Sequence, residues 1–403
     1  MPSRDDLQRI TLKLLAYCRE RDWAGHDPYD ALNSRILAAV PLLDSRIPRL
    51  IATQALKRSP VDLRRLMLIP PTQNPKALAL FLGSALRLRT VEKAHADALA
   101  GGFIERLIAL RSPGTSAWCW GYSFAWQTRT LVVPRGAPNL VCTVFVAGAL
   151  LDAYEQQGNQ RCLDMAVSAA RYILTELYRT DGDRVAGFSY PLASMPPHIH
   201  NANFLAAALL CRLSRLTGDA SFSRPGLAAA RWSASRQQAD GSWMYGDAGT
   251  QQWIDNFHTG YNLCALDAIG RDLETDEFRP QVARGFDFYR SHFFREDGAA
   301  RYFHDQTYPI DIHCVAQSII TLVALRDLHP GNMALATSVA RWAADHMWDE
   351  RGFFYYRMLR FATIRTSYMR WSQAWMLFAL STLLAGATDA TASSPSRESL
   401  AIA

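Results

Sequence analysis

The sequence contains no apolar run long enough to cross a membrane. Its 403 residues include no stretch of about 18 consecutive apolar residues, the minimum for a transmembrane helix. The first seven residues, Met-Pro-Ser-Arg-Asp-Asp-Leu, lack the basic and then apolar pattern of a secretory signal. We therefore expect a cytoplasmic protein with no membrane span.

Signals for nucleic acid, for disulfides and for metal binding are also missing. Basic residues form no dense cluster, which argues against a nucleic-acid partner. The seven cysteines show no Cys-x-x-Cys spacing, and five lie within apolar helical patterns, so we expect buried free thiols. No two of His200, His258 and His313 lie four residues apart, as in a helical zinc pair. We expect neither a metal nor a cofactor.

The net charge is +6, from 43 basic and 37 acidic residues. A mildly basic surface suits an anionic substrate, although an ordinary solvated surface explains the same balance. The charge carries no signature of oligomeric state.

Apolar helices recur along the chain at similar separations. They are predicted to begin near residues 76, 139, 203, 258, 313 and 371, and amphipathic helices alternate with them. A helix that is apolar nearly all round is buried on all sides, whereas one with a single apolar stripe lies outside. The alternation therefore predicts an all-α fold, an (α/α)6 toroid of six inner and about six outer helices.

The same pattern divides the chain into three parts. Residues 71–386 form the toroid, and residues 1–70 form an N-terminal helical cap that partly closes the ring. Residues 387–403 are rich in Ser, Thr and Ala, which predicts a disordered tail.

Two inner helices are predicted to begin with titratable side chains. Asp255, His258 and Tyr261 are spaced three apart and share one helix face. Asp311 and His313 stand at the equivalent place in the next unit of the repeat. Because the inner helices of a toroid begin at one rim, we expect these five groups to face one cavity and to be catalytic.

Other polar and aromatic residues near the same rim are predicted to bind substrate. Aromatic faces beside amides and charged groups suit a sugar, whose C–H faces stack on rings while its hydroxyls take hydrogen bonds. The predicted substrate-binding residues are Trp118, Trp120, Tyr190, His200, Asn203, Trp243, Tyr245, Arg365, Arg370 and Trp371.

Structural roles are the alternative for several of these residues. Asn203 stands where a helix N-cap stands, and capping explains it as well as function does. Asp255 and Asp311 could also be caps, but two Asp–His pairs at equivalent positions favour function. His200 lies next to a loop that follows two prolines, and the loop aromatics could simply cover the rim.

The repeated helix pairs and the loop Asp240-Gly-Ser-Trp243 resemble the six-hairpin glycosidase-like superfamily over about residues 70–386. The run 255–261, Asp-Asn-Phe-His-Thr-Gly-Tyr, looks like segments of uncharacterised proteins from bacterial polysaccharide gene clusters. It is also similar to the Tyr-His-Thr-Thr-His run of glucuronyl C5-epimerases, with Phe257, His258 and Thr259 in register. This resemblance implies an enzyme acting on a uronate-containing polysaccharide or oligosaccharide.

A second resemblance leads to a different substrate. Gln238-Ala-Asp-Gly-Ser-Trp243 looks like the repeat of triterpene cyclases, which are also helical toroids. Those enzymes use an Asp-x-Asp-Asp motif that this sequence lacks, and prenyltransferase β-subunits need zinc ligands for which no convincing set is present. A terpenoid cyclase or prenyltransferase-like toroid therefore ranks second.

Two mechanisms and one non-catalytic role remain open. Inverting hydrolysis would use Asp255 and Asp311, with Asp247 in reserve, as acid and base. Epimerisation or β-elimination would use His258, His313 and Tyr261, with Arg365 or Arg370 holding a carboxylate. A polysaccharide-binding protein of an assembly complex would keep the aromatic cleft without needing Asp255 and His258 together.

Overall fold

The computed structural model describes residues 4–40, 45–89, 93–128, 131–181 and 185–392. Its helices, in chain order, are α1 (Arg4–Glu20), α2 (Arg35–Ala39), α3 (Arg46–Arg58), α4 (Pro75–Leu88), α5 (Lys93–Ala109), α6 (Leu140–Gln157), α7 (Gln160–Tyr172), α8 (His200–Thr217), α9 (Ala220–Ala234), α10 (Asn256–Asp272), α11 (Arg279–His292), α12 (Ile312–Ala324), α13 (Asn332–His346) and α14 (Trp375–Ala392).

Six of these helices form an inner ring. Helices α4, α6, α8, α10, α12 and α14 contact one another in that order, and contact between α14 and α4 closes the circle. Helices α5, α7, α9, α11 and α13 each pack outside the inner helix that precedes them, and α1 packs against α14. The (α/α)6 toroid predicted from the sequence is confirmed.

The apolar character of the inner helices explains their position. Along α4 every residue from Pro75 to Leu86 is buried, because the helix has neighbours on all sides. Side-chain caps fix where several of these helices begin. Asn74, Asn139, Asp255 and Asp311 each accept a hydrogen bond from a backbone N–H in the first turn of α4, α6, α10 and α12, which satisfies donors that would otherwise be unpaired.

Long loops carry short antiparallel strands at the rim where the inner helices begin. The strands are β1 (Trp126–Gln127), β2 (Val132–Val133), β3 (Tyr178–Asp181), β4 (Val185–Phe188), β5 (Ile310–Asp311), β6 (Trp348–Asp349), β7 (Phe353–Phe354), β8 (Arg357–Met358) and β9 (Thr363–Ile364). β1 pairs with β2, β3 with β4, and β6 with β7, while β5, β8 and β9 form one three-stranded sheet. In that sheet Asp311 lies opposite Arg357, and this register matters for the site below.

The segment that follows α1 meets the segment that precedes α14 beside this rim. A backbone bridge joins His26 to Tyr368, just before a π-helical turn over Met369–Ala374 that leads into α14. Helix α14 continues to Ala392, so the predicted boundary at residue 386 falls inside a helix. The rest of the predicted tail, residues 393–403, lies outside the described residues.

All seven cysteines are free thiols, and six of them are buried, as the sequence predicts. No helix in the described part of the chain combines the length and the apolar character needed to cross a bilayer.

Candidate active site

A cavity of about 680 Å³ opens where the inner helices begin. Five of the predicted site residues on α10, α12 and the π-helical turn line it: His258, Tyr261, His313, Arg370 and Trp371. Two predicted loop aromatics, Tyr190 and Tyr245, line it as well. The volume is in the range of ligand pockets, which typically span roughly 300–1,000 Å³.

Two other cavities differ in chemistry. One of about 320 Å³ lies between the bodies of the inner helices and is lined mainly by small and apolar side chains. The other, of about 810 Å³, is a groove between the end of α1, residues 60–71 and residues 351–369. Neither is lined by His258 or His313, the two histidines predicted to be catalytic. Both histidines line the cavity at the rim.

His258 and Asp255 form a hydrogen-bonded dyad at the start of α10. The Nδ1 atom of His258 lies 2.7 Å from Oδ2 of Asp255, and the same oxygen accepts a 2.9 Å hydrogen bond from the indole N–H of Trp253. The other oxygen, Oδ1, caps the helix by accepting from the backbone N–H of His258. Asp255 therefore holds one ring nitrogen of His258, and Nε2 makes no hydrogen bond with any described residue.

The rings around His258 fix its plane. Tyr245 stacks on Trp253 with centroids 4.4 Å apart and contacts the imidazole at 4.6 Å. The ring centroid of Phe257 lies 4.0 Å from that of His258. The imidazole is 19% exposed, so it meets the cavity along one edge.

Tyr261 and His313 form a second pair within the same cavity. The hydroxyl of Tyr261 lies 2.7 Å from Nε2 of His313, and the Nδ1 atom of His313 has no hydrogen-bond partner among the described residues. Burial raises the pKa of Tyr261 well above its ordinary range. Burial, together with the charges of Lys76 and Arg370, lowers the pKa of His313 well below its ordinary value. Both groups are therefore neutral at pH 7, and a single hydrogen bond links them.

Asp311 lies behind the cavity and is fully engaged. Its Oδ2 accepts two hydrogen bonds from the guanidinium of Arg357, at 2.8 and 2.5 Å. Its Oδ1 accepts from the indole of Trp371 and from the backbone N–H of His313. The Asp311 side chain is completely buried, so it organises the neighbours of the cavity and does not line it.

Arg370 is also held by a carboxylate. Its Nε and Nη2 donate to the two oxygens of Asp27 at 2.7 and 2.8 Å. This is the bidentate geometry in which a guanidinium binds a carboxylate most strongly. The Cζ atom of Arg370 also lies 5.0 Å from the ring centroid of Tyr122 and 5.3 Å from that of Trp371, so several contacts position this cation at the cavity wall.

The described residues that line the cavity include several cations and no carboxylate. The cationic side chains are Lys57, Arg58, Lys76, Arg357 and Arg370. Asp27, Asp255 and Asp311 pair with residues of the wall but do not line it themselves. The wall therefore presents cationic side chains to the cavity, and two of them, Arg357 and Arg370, are paired with carboxylates that lie behind it.

Six predicted substrate-binding residues do not line this cavity. The indoles of Trp120 and Trp243 donate to the backbone carbonyls of Leu107 and Ser233, because both rings are buried in the core. Trp118 stacks on Trp120. The remaining predicted residues outside the cavity wall are His200, Asn203 and Arg365.

Local contacts explain where these three side chains lie. His200 lies between Ser233 and Asp247. Asn203 binds the backbone N–H of Phe188 at 2.8 Å. Arg365 lines the separate groove beside α1, with its guanidinium over the ring of Tyr355.

The sequence analysis missed several residues that do line the cavity. They are Tyr29, Gln54, Lys57, Arg58, Lys76, Trp126, Trp253, Phe257 and Arg357. A signal existed for Lys76, because the recurrence places residue 76 at the start of an inner helix, beside the positions of Asp255 and Asp311. No comparable signal marks Lys57 or Arg58, which reach the cavity from α3.

Metal-binding groups do not cluster in the described part of the chain. No three or more His, Cys, Asp or Glu side chains are placed there to hold a metal ion.

Comparison with known proteins identifies the fold. No family model matches the sequence, and no curated protein matches it. A GH76 alpha-mannanase from Bacteroides thetaiotaomicron is 13% identical, with a TM-score of 0.61, 80% of this chain covered and 88% of the other. The cellobiose 2-epimerase from Spirochaeta thermophila is 14% identical, with a TM-score of 0.60 and coverage of 79% and 87%.

A third structure covers nearly the whole chain. A possible member of the GH105 family from Salmonella enterica is 11% identical, with a TM-score of 0.60 and coverage of 95% and 94%. At these identities the likeness shows the (α/α)6 fold and no more. The resemblance drawn from the sequence is confirmed at the level of the fold.

Proposed function

We propose that the protein is a carbohydrate-active enzyme in which His258 transfers a proton to or from a sugar carbon. The observation that carries this proposal is the Asp255–His258 dyad at the cavity wall, with Nδ1 of the histidine 2.7 Å from Asp255. A carboxylate at Nδ1 favours the tautomer with its proton there. Nε2 is then left as the nitrogen that accepts a proton.

Tyr261 and His313 supply a second proton-transfer group. Tyr261 lies one helical turn after His258, with ring centroids 6.1 Å apart, and its hydroxyl is hydrogen-bonded to His313. Epimerisation requires a proton to leave one face of a carbon and another to arrive at the opposite face. Elimination requires the same first step and an acid at the leaving oxygen. The two pairs provide a base and an acid for either reaction.

The carboxylates of the site support proton transfer more than hydrolysis. Inverting hydrolysis needs one free carboxylic acid at the glycosidic oxygen and one carboxylate at a water molecule. The oxygens of Asp255 accept hydrogen bonds from Trp253 and His258, and those of Asp311 are held by Arg357 and its other partners. Asp247 faces His198 and His200 outside the cavity wall.

The substrate class follows from the wall. Tyr190, Tyr245, Trp253, Tyr302 and Trp371 present ring faces and edges on which a sugar can stack. The cations of the wall favour a negatively charged sugar, so we infer a uronate-containing oligosaccharide or polysaccharide. The cellobiose 2-epimerase of the same fold supports proton-transfer chemistry on a saccharide.

The absence of a carboxylate from the described cavity wall argues against the terpenoid alternative. Terpene cyclisation passes through carbocations, which aromatic faces and carboxylates stabilise, and of these two kinds of group the wall provides only the aromatic faces. A non-catalytic binding protein would use the aromatic wall but would have no need for the Asp255–His258 arrangement.

Proton NMR in deuterium oxide tests the proposal. The wild-type protein is incubated with a panel of uronate-containing and neutral oligosaccharides, with His258→Gln as the matched variant. Exchange of a ring C–H for deuterium, or a new unsaturated product, in the wild type alone is expected. New reducing ends without exchange would assign hydrolysis instead, and binding without any turnover would assign a binding protein.

A further inference from the structure

Lys76 is a buried cation at the start of α4 that forms no ion pair with any described residue. Its side chain lies at the cavity, and the residue is only 3% exposed. Its Nζ makes no hydrogen bond with any residue that the structure describes. The N-cap Asn74 fixes the backbone at this point, because its side chain accepts the N–H of Lys76 at 3.0 Å.

Three features of this position oppose a positive charge on Lys76. Burial removes the ammonium group from water. The first turn of a helix is the positive end of its dipole, and Lys76 is the second residue of α4. Arg370 adds a like charge nearby. Burial and then Arg370 accordingly lower the pKa of Lys76 well below its ordinary value of 10.5.

Other cations at the wall have partners that Lys76 lacks. Arg357 holds Asp311, Arg370 holds Asp27, and Lys57 donates to the hydroxyl of Tyr29 at 2.7 Å. These partners lie within the protein, so the charges of Arg357 and Arg370 are balanced before any ligand enters. Lys76 forms no ion pair with a described residue, and Asp27, the carboxylate whose charge acts on it, is already paired with Arg370.

Three aromatic rings hold the ammonium group in place. Its Nζ lies 4.0 Å from the ring centroid of Phe145, 5.2 Å from that of Trp375 and 5.6 Å from that of Tyr261. Ring faces attract a cation but accept no conventional N–H···O hydrogen bond. The three donors of a protonated Lys76 are therefore left for a ligand.

We propose that Lys76 is the specificity-determining residue of the cavity and that its ammonium group binds the carboxylate of an acidic sugar. The inference rests on the proposed function in one respect, because it takes the cavity to be a sugar site. It adds the residue that selects the acid over the neutral sugar. The guanidinium of Arg370 is fixed at the same wall by Asp27. In this proposal it orients the carboxylate that Lys76 binds.

Binding of the acid is coupled to proton uptake. An anion beside Lys76 favours the charged amine and opposes the lowering of its pKa by burial, so we expect the amine to take up a proton when the carboxylate enters an empty cavity. The titratable and charged groups that face Lys76 are Arg370, Asp27, Cys142 of α6, Tyr261 of α10 and His313 of α12. Burial raises the pKa of Cys142 to about 12, and Tyr261 and His313 are neutral, so Lys76 is the group among them that changes charge.

Calorimetry with a matched pair of sugars tests the inference. Methyl β-D-glucuronide and methyl β-D-glucoside differ only at C6, which is a carboxylate in the first and a hydroxymethyl group in the second. Each is titrated into the whole protein in buffers of different ionisation enthalpy. The wild type should prefer the glucuronide, with up to one proton taken up per site. Lys76→Met should weaken glucuronide binding about tenfold to a hundredfold, since a hydrogen bond to a charged group has that worth, and should abolish proton uptake. Glucoside binding should be unchanged.

Two further variants keep the result interpretable. Lys13→Met removes the same charge from the outer surface, where Lys13 pairs with Glu350, and should leave both affinities unchanged. Lys76→Arg keeps the charge and should retain most of the preference for the glucuronide. The melting temperature of Lys76→Met should equal or exceed that of the wild type, because an unpaired buried amine is lost, whereas a structural role for Lys76 predicts a lower one.

The inference is overturned if Lys76→Met binds the glucuronide as tightly as the wild type, or if the wild type does not distinguish the two sugars. It is also overturned if borohydride treatment with a reducing sugar traps a covalent adduct on Lys76, which would make the amine a nucleophile. Deuterium exchange that requires His258 but is unchanged in Lys76→Met would support the proposed function and contradict the role of Lys76. Selective glucuronide binding without any exchange would support the role of Lys76 and contradict the proposed proton-transfer function.

Discussion

His258 and Asp255 are joined twice at the start of α10. The carboxylate accepts the backbone N–H of His258 at 3.0 Å and lies 2.7 Å from its ring Nδ1. The helix cap and the orientation of the imidazole are thus functions of one side chain. The capping role of Asp255 therefore does not exclude the proposed catalytic role, because one carboxylate makes both contacts.

The first prediction separates chemistry from folding at this dyad. His258→Gln should lower turnover by about 10² to 10⁴, the usual contribution of a positioned acid or base, with a nearly unchanged melting temperature. Asp255→Asn keeps a side-chain oxygen for the cap but removes the charge beside Nδ1, so a similar loss of turnover is expected. Specific activity and thermal melting are measured on the same preparations.

Asn139→Ala is the matched control for these variants. Asn139 caps α6 by accepting the N–H of Cys142 but does not line the cavity. Its loss should cost about 0.5–2 kcal/mol of stability and leave activity per folded molecule intact. An Asp255→Asn protein that melts early yet remains active would show that Asp255 is only a cap.

The second prediction concerns the buried pair of Asp311 and Arg357. Removing one partner of a buried pair costs about 3–5 kcal/mol, because the other charge is left uncompensated. Asp311→Asn should therefore lower the stability strongly, and the double variant Asp311→Asn with Arg357→Met should recover part of the loss. Chemical denaturation of the wild type, the two single variants and the double variant gives the coupling free energy between Asp311 and Arg357. If Asp311→Asn instead keeps full stability and loses turnover, the carboxylate acts in the reaction.

The third prediction distinguishes the two arginines that the sequence offered as carboxylate clamps. Arg370 lies at the cavity wall and Arg365 lines a separate groove. Arg365→Met should leave the kcat/KM for a uronate substrate within about twofold, since substitutions that touch neither the site nor a buried partner have small effects. Arg370→Met should lower it by tenfold or more and should also destabilise the fold, because Asp27 loses its partner. Equal effects of the two variants would contradict this assignment.

The sequence predicted the ring and the residues at its helix starts because both follow from local patterns. Apolar helices that recur at similar separations along the chain must bury themselves in a common core, and their first residues then share a rim. His258, Tyr261 and His313 were identified by this reasoning alone. In the structure His258 pairs with Asp255, and Tyr261 pairs with His313. These pairings depend on side-chain geometry, which the spacing in the sequence does not specify.

The loop residues were harder to predict, because an aromatic side chain in a loop can face the core or the cavity. Trp243 and Tyr245 are two residues apart, yet the first is buried with its indole bound to Ser233 and the second stacks on Trp253 beside His258. Lys57 reaches the cavity from α3. This helix lies in the N-terminal segment, outside the repeats from which the other positions were predicted. Arg357 is brought to Asp311 by the pairing of β5 with β8, a contact between segments that are distant in the sequence.

The fourth prediction follows from the neutral state of His313. Burial, reinforced by Lys76 and Arg370, lowers the pKa of His313 well below 6.5 in the folded protein. As the pH falls below 6.5, the unfolded chain takes up a proton at this residue and the folded protein does not. The unfolded state then binds more protons, so stability decreases as the pH falls, by at most about 1.4 kcal/mol per pH unit for one group. Above pH 7 both states are neutral at this position and the effect vanishes.

His313→Asn should flatten this dependence. Its free energy of unfolding, measured by denaturant titration between pH 5 and pH 8, should fall less towards acid than that of the wild type. The variant keeps a residual slope from His200, whose pKa is also lowered by burial. His329→Asn, on the exposed surface, is the control and should reproduce the wild-type slope. Parallel curves for His313→Asn and the wild type would mean that the pKa of His313 is the same in the folded and the unfolded protein, and burial would then not hold this imidazole in its neutral form.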